Sequence, residues 1–247
     1  MKPLQMMAVA LMLAVIPSTV VAYETIVVTD GGKISGKVTL KGEADAPKKA
    51  DFPADLNAED AHFCHGARPL VTPFYIVDDK KGLKNVAVWL EGVTKGKKRE
   101  KKMGSMVNKD CRFLPHVQTI DRGASVLVEN HDPILHTTHP IFVKSKVTAF
   151  NIGMPRKGQK SKKKIRQAGV MKVQCDSGHT WMRSWIHSFK HPYHTVTESN
   201  GTFVIDGIPP GKYTLKVWHE SAGVLSKEVQ VGPSAAVEAN FTMEAMN

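Results

Sequence analysis

The chain has 247 residues, 42% of them apolar, 23% charged and 7% aromatic, with a formal charge of +11. Such a composition supports a packed core and excludes disordered, collagen-like, coiled-coil and multi-span membrane proteins. Three cysteines are too few for a disulfide-dense scaffold, and their odd number leaves at least one thiol for other chemistry.

Lys2 precedes an apolar run at 6–16 that is too short to span a bilayer and is broken at Pro17 and Ser18. With Val20 and Ala22 offering a cleavage site, residues 1–22 read as a secretory signal peptide. The chain is then exported, periplasmic or extracellular, with no membrane span after cleavage, and it works where paired cysteines stay paired. Residues 34–40 alternate apolar and polar, which predicts a half-buried strand. Residues 47–60 are rich in Pro, Ala and Asp and predict a loop with at most one short helix. A second strand is expected over 84–93, followed by an exposed basic connector at 95–102 (KGKKREKK).

Strands resume from Met106, at 107–113, 116–120 and 125–129. A second basic run covers 156–166, and strands are expected again at 170–175 and 184–189. After Thr195 come four short strands, at 202–205, 213–218, 226–231 and 237–243. Asn200-Gly201, Asp206-Gly207 and Pro209-Pro210-Gly211 punctuate them as turns. No segment keeps a period near 3.6 over three turns, so the fold class is all-β, of sandwich type, with two sandwiches.

Seven of the eleven histidines fall between 131 and 194, in the same stretch as the one late cysteine. Cys175, His179 and Met182 are spaced C-x3-H-x2-M just past an alternating strand. A thiolate, an imidazole and a thioether on one loop suit copper cycling between two oxidation states better than hard cations. The segment 130–139 offers a second imidazole, from His136 or His139, while His131 reads as solvent-facing. His191-Pro192-Tyr193-His194 reads as a surface turn. Cys64-His65 lacks the upstream cysteine of a haem-attachment motif, and no nucleophile elbow, phosphate-binding loop or H-E-x-x-H helix occurs. Cys64 and Cys111 remain as a pair whose bridge would contribute roughly 4 kcal/mol, or else as two separate buried thiols.

Phe113 to His116, the run 123–130 (GASVLVEN), Asp132, His136, Cys175, His179 and Met182 together resemble the cupredoxin pattern of plastocyanin- and amicyanin-type proteins. The resemblance implies a Greek-key sandwich over 105–194 holding one type 1 copper. His136, Cys175 and His179 would form its trigonal plane and Met182 its weak axial ligand. His179 would be the ligand nearest the surface, an electron port with Trp181 beside it. The run also resembles bacterial plastocyanin-like proteins of methylamine utilisation. Two departures stand out: Thr137 occupies the place of a bracing Asn, and the Cys-to-His gap is one residue longer than in amicyanin.

Residues 195–217 resemble a carboxypeptidase-regulatory-like, transthyretin-type sandwich, a resemblance that carries no catalytic residues. Its opening strands resemble 34–40 and 84–90, so these are expected to pair with the C-terminal strands. That divides the chain after the signal peptide into 23–104, a copper domain at 105–194, and 195–247, the second sandwich being split around the first. The function implied is one-electron transfer rather than catalysis. Its rival is a secreted β-sandwich binding or structural module whose copper is stored or merely stabilising. The basic runs, with Lys162, Lys163 and Lys164 as docking residues, would steer an acidic redox partner such as an acidic c-type cytochrome. Their plainer role is as solubilising loops. Nucleic acid is not an expected partner, for want of any recognised binding motif.

Overall fold

The computed structural model describes residues 22–44, 48–71 and 75–245. The expected signal peptide lies outside them apart from Ala22. Among the described residues no helix is long and apolar enough to cross a membrane.

A short β1 (Glu24–Thr25) precedes β2 (Gly32–Lys41). Then come β3 (Lys48–Lys49), the helix α1 (Ala58–Ala67), β4 (Leu70–Val71), β5 (Ala87–Glu91) and β6 (Lys95–Gly96). The middle of the chain supplies β7 (Gly104–Lys109), β8 (Arg112–Leu114), β9 (Val117–Asp121), β10 (Ser125–Asn130) and β11 (His136–Phe142). It continues with β12 (Ile152–Met154), β13 (Lys160–Lys164), β14 (Gly169–Gln174) and β15 (Arg183–Phe189). The last part holds β16 (His194–Val196), β17 (Thr202–Ile208), β18 (Gly211–His219), β19 (Gly223–Val231), β20 (Ala236–Glu238) and β21 (Phe241–Glu244). The fold is all-β, with two cores.

The central core lies between a sheet ordered β13-β10-β7-β8 and one ordered β12-β11-β14-β15-β9. Met106, Phe113, Val126, Val128, Met171, Val173 and Ile186 fill it. These are the alternate residues of their strands, as a period of two requires when one face is buried. The second core lies between β16-β5-β18-β19 and β17-β2-β20, with β21 continuing alongside β2. It contains Ile34, Val38, Val88, Leu90, Phe203, Leu215 and Val217.

β2 and β5 precede the central sandwich in the chain yet belong to the C-terminal one. Ile34 stands opposite Ile205 of β17 and Val237 of β20. Val88 stands opposite Val217 of β18 and Thr195 of β16. Loop-closure entropy grows only slowly with loop length, so a sandwich can accommodate another between its strands. The junction is aromatic. Trp185 packs on Trp218 with ring centres 5.0 Å apart, His187 on Trp218 at 4.5 Å, and Trp89 on His187 at 6.3 Å. Glu220, buried there, accepts a hydrogen bond from Trp185 Nε1 at 2.8 Å and pairs with His116 and Arg183.

Three local expectations change. The stretch 47–60 leads into α1, which runs on to Ala67. Asn57 caps it by accepting from Asp60 N at 2.9 Å, and Arg68 ends it in the left-handed region. Of the second basic run, Lys160–Lys164 is no loop but an edge strand paired with β10. Lysines on an edge discourage further strand pairing. The turn expected at 191–194 is not on the surface: His191 and Tyr193 are buried, because they fold under the junction beside Phe189.

Candidate metal centre

The β7–β8 hairpin turns through Asp110 and Cys111, both at positive φ (53° and 55°), as a two-residue hairpin turn of the twisted kind requires. Their N–H groups donate to the Asp132 carboxylate at 2.8 and 3.0 Å. Asp132 is itself placed by Asn130, whose Oδ1 accepts its N–H at 3.0 Å. Asn130 Nδ2 donates to the carbonyls of Ile134 and Met154 at 2.9 and 2.7 Å. So fixed, Asp132 Oδ2 accepts a hydrogen bond from His136 Nε2 at 2.9 Å. That leaves His136 Nδ1 as a lone pair aimed inward.

Cys175, just past β14, and His179 on the following turn face that lone pair. The Nδ1 atoms of His136 and His179 are 3.1 Å apart, and Cys175 Sγ is 3.5 Å from His179 Nδ1. All three side chains are buried. Thr137 braces the loop where an Asn was expected: its N–H donates to Cys175 Sγ at 3.4 Å, and its hydroxyl accepts from Asp176 N. Met182 is buried and lines a cavity of about 210 Å³ together with Cys175, Thr180, Lys172 and Arg183. His139 does not join this group. It lies 2.7 Å from Asp176 and 2.8 Å from Thr148. Of the two histidines left open by the sequence, His136 is the one beside the thiol. His131 is exposed, next to Glu129.

α1 covers the far side. Asp60 Oδ2 lies 3.2 Å from His179 Nε2, at ion-pair distance though not as an aligned hydrogen bond. The bridge Cys64–Cys111 ties α1 to the β7–β8 turn. Trp181 donates from Nε1 to the Cys111 carbonyl at 3.0 Å and packs against Phe52 and His179. His179 is therefore 0% exposed and Trp181 only 8%. This corrects the expected electron port: α1 and Phe52 sit where that surface would be. His62 and His65 are exposed, and His65 packs on Phe52 with ring centres 4.3 Å apart. Lys162, Lys163 and Lys164 stand opposite Leu127, Val126 and Ser125, farther from the His136 end of β10 than Lys160 is.

Burial would raise the Cys175 thiol, but His136, His179 and the N–H groups of Thr137 and Ser177 outweigh it and bring it down to about 5. Burial likewise pulls His136 down, yet Asp132 and the thiol hold it above its ordinary value. Asp132 is held low, against burial, by His136 and two N–H groups. With His136 deprotonated at Nδ1 on metal binding, the site would offer a thiolate and two imidazole nitrogens, a donor set that fits a copper ion by softness. It fits by size as well. An ion about 2.0 Å from each imidazole nitrogen, at angles of about 100–120°, needs nitrogens about 3.1–3.5 Å apart, and the two Nδ1 atoms stand at 3.1 Å.

Asp60 carried no signal in the sequence, because nothing in the chain joins it to a loop more than a hundred residues away. Only the fold brings it to His179.

The family model for polysaccharide lyase family 4, domain II, matches residues 166–239, less than a third of the chain, where a carboxypeptidase-regulatory-like module was expected from residue 195 onward. No curated protein matches the chain. Among solved structures, the chain is similar to a purple cupredoxin from Nitrosopumilus maritimus, at 20% identity and TM-score 0.31, over 35% of this chain and 99% of that one. It is similar to amicyanin from Paracoccus versutus, at 18% and 0.31, over 36% and 82%. It is also similar to the copper-containing nitrite reductase of Thermus scotoductus SA-01, at 18% and 0.32, over 36% of this chain but only 22% of that one. At these scores the likeness adds nothing to the side-chain geometry, which alone carries the metal assignment.

Proposed function

We propose that this is an exported type 1 copper protein that carries single electrons and catalyses no reaction of its own. The observation behind the reading is the convergence of the Cys175 thiolate with the Nδ1 atoms of His136 and His179 in a buried site. Met182 is assigned the weak axial position, on the strength of its burial beside Cys175. Copper bound there would supply one-electron exchange between its cuprous and cupric states. Asp132 holds the tautomer and aim of His136. Asp60 stands behind His179, and Phe52 and Trp181 keep water from it. Residues 105–194 are read as the copper unit, inserted in a transthyretin-type sandwich made by 23–104 and 195–247. Methylamine-utilisation proteins remain the suggested relatives. A joined cysteine pair suits the periplasm or the cell exterior.

With His179 covered, electrons are assigned a route on the Cys175 side, past Thr180 and Met182, where Lys172 and Arg183 line the cavity. Those cations favour an acidic partner, such as an acidic c-type cytochrome. The lysines of β13 act at longer range, as a steering field. Electron exchange with such a cytochrome is expected to slow as the Debye length falls from about 10 Å at 0.1 M salt to about 3 Å at 1 M. Changing Lys162, Lys163 and Lys164 to Gln should flatten that dependence and leave the copper spectrum alone.

The cover over His179 favours a second reading, a secreted module that stores copper or is stabilised by it. Titrating the full chain with a cupric salt separates the two. The carrier develops an intense visible copper–thiolate band that ascorbate bleaches and reoxidation restores. Copper bound without that band, or unable to cycle, would favour storage.

A further inference from the structure

The strand register gathers four segments at the end of the central sandwich opposite the candidate metal centre: 99–103 ahead of β7, and the β9–β10, β11–β12 and β13–β14 loops. Ser125 stands beside Lys164, Gly104 beside Val126, and Phe142 beside Met171. From Gly169 the strand β14 runs roughly 20 Å before it reaches Cys175. The two basic runs, separate in the sequence, meet at this end. Arg99 Nη1 donates to the Arg122 carbonyl at 3.2 Å, Lys101 N to Asp121 Oδ2 at 3.0 Å, and Gly123 N to the Ile165 carbonyl at 2.7 Å. The β11–β12 loop is closed on itself. Phe142 N donates to the Val147 carbonyl at 2.9 Å and Lys146 N to the Phe142 carbonyl at 2.8 Å, while Val143 N reaches the Val170 carbonyl at 2.9 Å.

Six exposed cations crowd these segments: Lys101, Lys102, Arg122, Lys144, Lys146 and Arg166. Among the described residues none of the six enters an ion pair. The carboxylates of the same segments are Glu100 and Asp121, and Asp121 is buried, turned onto Lys101 N and His194. The field here is therefore strongly positive. Three large apolar side chains stand out among the cations: Met103 is 49% exposed, Val143 41% and Val147 49%. Val143 and Val147 flank Lys144 and Lys146 on one hairpin tip. A soluble polyanion or an acidic protein would answer the cations and leave those apolar tips in water. The boundary between lipid head groups and acyl chains answers both: anionic lipids attract the cations, and the apolar side chains enter the interface.

We propose that this end of the molecule docks on an anionic phospholipid bilayer, with Met103, Val143 and Val147 entering the head-group layer and the metal centre facing away from it. The inference does not rest on copper. Co-sedimentation of the full chain with phosphatidylcholine vesicles containing about a third phosphatidylglycerol tests it, against vesicles of phosphatidylcholine alone. The anionic vesicles should bind about a hundredfold more tightly, and added salt should weaken them. Lys144→Gln with Lys146→Gln should cost about thirtyfold, the weight of two cations near such a surface. Lys109→Gln with Lys157→Gln removes the same charge from the opposite end, where Lys109 closes β7 and Gly158 N donates to the Asn130 carbonyl. That pair should change binding by no more than about twofold. Val143→Ser with Val147→Ser should weaken vesicle binding about fivefold or more. Absence of binding to anionic vesicles, or equal binding to phosphatidylcholine alone, overturns the proposal. So does an equal loss from the Lys109 and Lys157 pair, or no loss from the serine pair. Soluble polyglutamate bound as tightly as the vesicles overturns it too, since the apolar tips would then play no part.

Discussion

Two sets of buried histidines lie toward opposite ends of the β14–β15 hairpin, and their surroundings differ in one respect. His136 and His179 each have a carboxylate behind them, Asp132 at 2.9 Å and Asp60 at 3.2 Å. His187 and His191 are set among aromatic rings instead. Burial acts on His136 and on the second pair alike, but only at His136 do the neighbours reverse it. There Asp132 and the thiol hold the imidazole above its ordinary value, while burial takes His187 and His191 down to about 3 and 4. Burial alone makes a histidine neutral; a carboxylate at one nitrogen aims the other.

The difference can be broken most sharply at the thiol. Cys175→Ser should abolish the visible band and lower copper affinity by two orders of magnitude or more, since a hydroxyl replaces neither the charge transfer nor the soft donor. His187→Phe, His62→Ala and His65→Ala should leave band and affinity unchanged. Copper lost on His187→Phe would mean that the two sets are not separate.

The next effect is on stability against pH. In the unfolded chain His187 and His191 take up protons near pH 6.5, but in the fold they resist until about pH 3 and 4. Their folded values are depressed, so their contribution is present above pH 6.5 and is lost as pH falls from there toward 3. For the pair it amounts to a few kcal/mol. Thermal melts of the wild type and of His187→Phe, taken from pH 7 to pH 4, should show the smaller decline in the variant. Parallel declines would place the titration elsewhere.

A smaller change sharpens the carboxylate half. Asp60→Ala should weaken copper binding by about 10–100-fold, the usual cost of losing a partner behind a ligating imidazole. Asp60→Asn should fall between Ala and wild type, and the spectrum should shift with the affinity. An affinity unmoved by either variant would reduce Asp60 to a packing residue.

Much of this architecture was legible from alternation. β2, β10, β14 and β18 bury alternate apolar residues on their core face, and the period shows in the sequence. β11 does not show it, because its buried face holds His136, Thr138 and Pro140 ahead of Phe142, so polar site residues occupy core positions. α1 was obscured for a related reason. Its buried residues are Asp60 and Cys64, and two such side chains make no apolar stripe. The loop bearing Cys175, His179 and Met182 was readable because its donors lie close together in the chain. What encloses it was not, because Phe52 and Asp60 reach it from a segment whose composition says loop with at most one short helix, and Cys64 from just beyond it.

The bridge between Cys64 and Cys111 is not one of the three candidate donors, though Cys111 Sγ lies within 4.8 Å of a His136 ring nitrogen, and both carboxylates behind the imidazoles adjoin what it fixes. On one side it fixes α1, and with it Asp60; on the other it fixes the turn whose N–H groups hold Asp132. The order of maturation follows. On the proposed copper reading, a chain with these thiols reduced has its three donors but not the scaffold that aims two of them, so oxidation of the pair would come before secure capture of the metal. If the chain is exported as proposed, whatever enzyme oxidises exported thiols would thereby also govern when it becomes competent to keep copper.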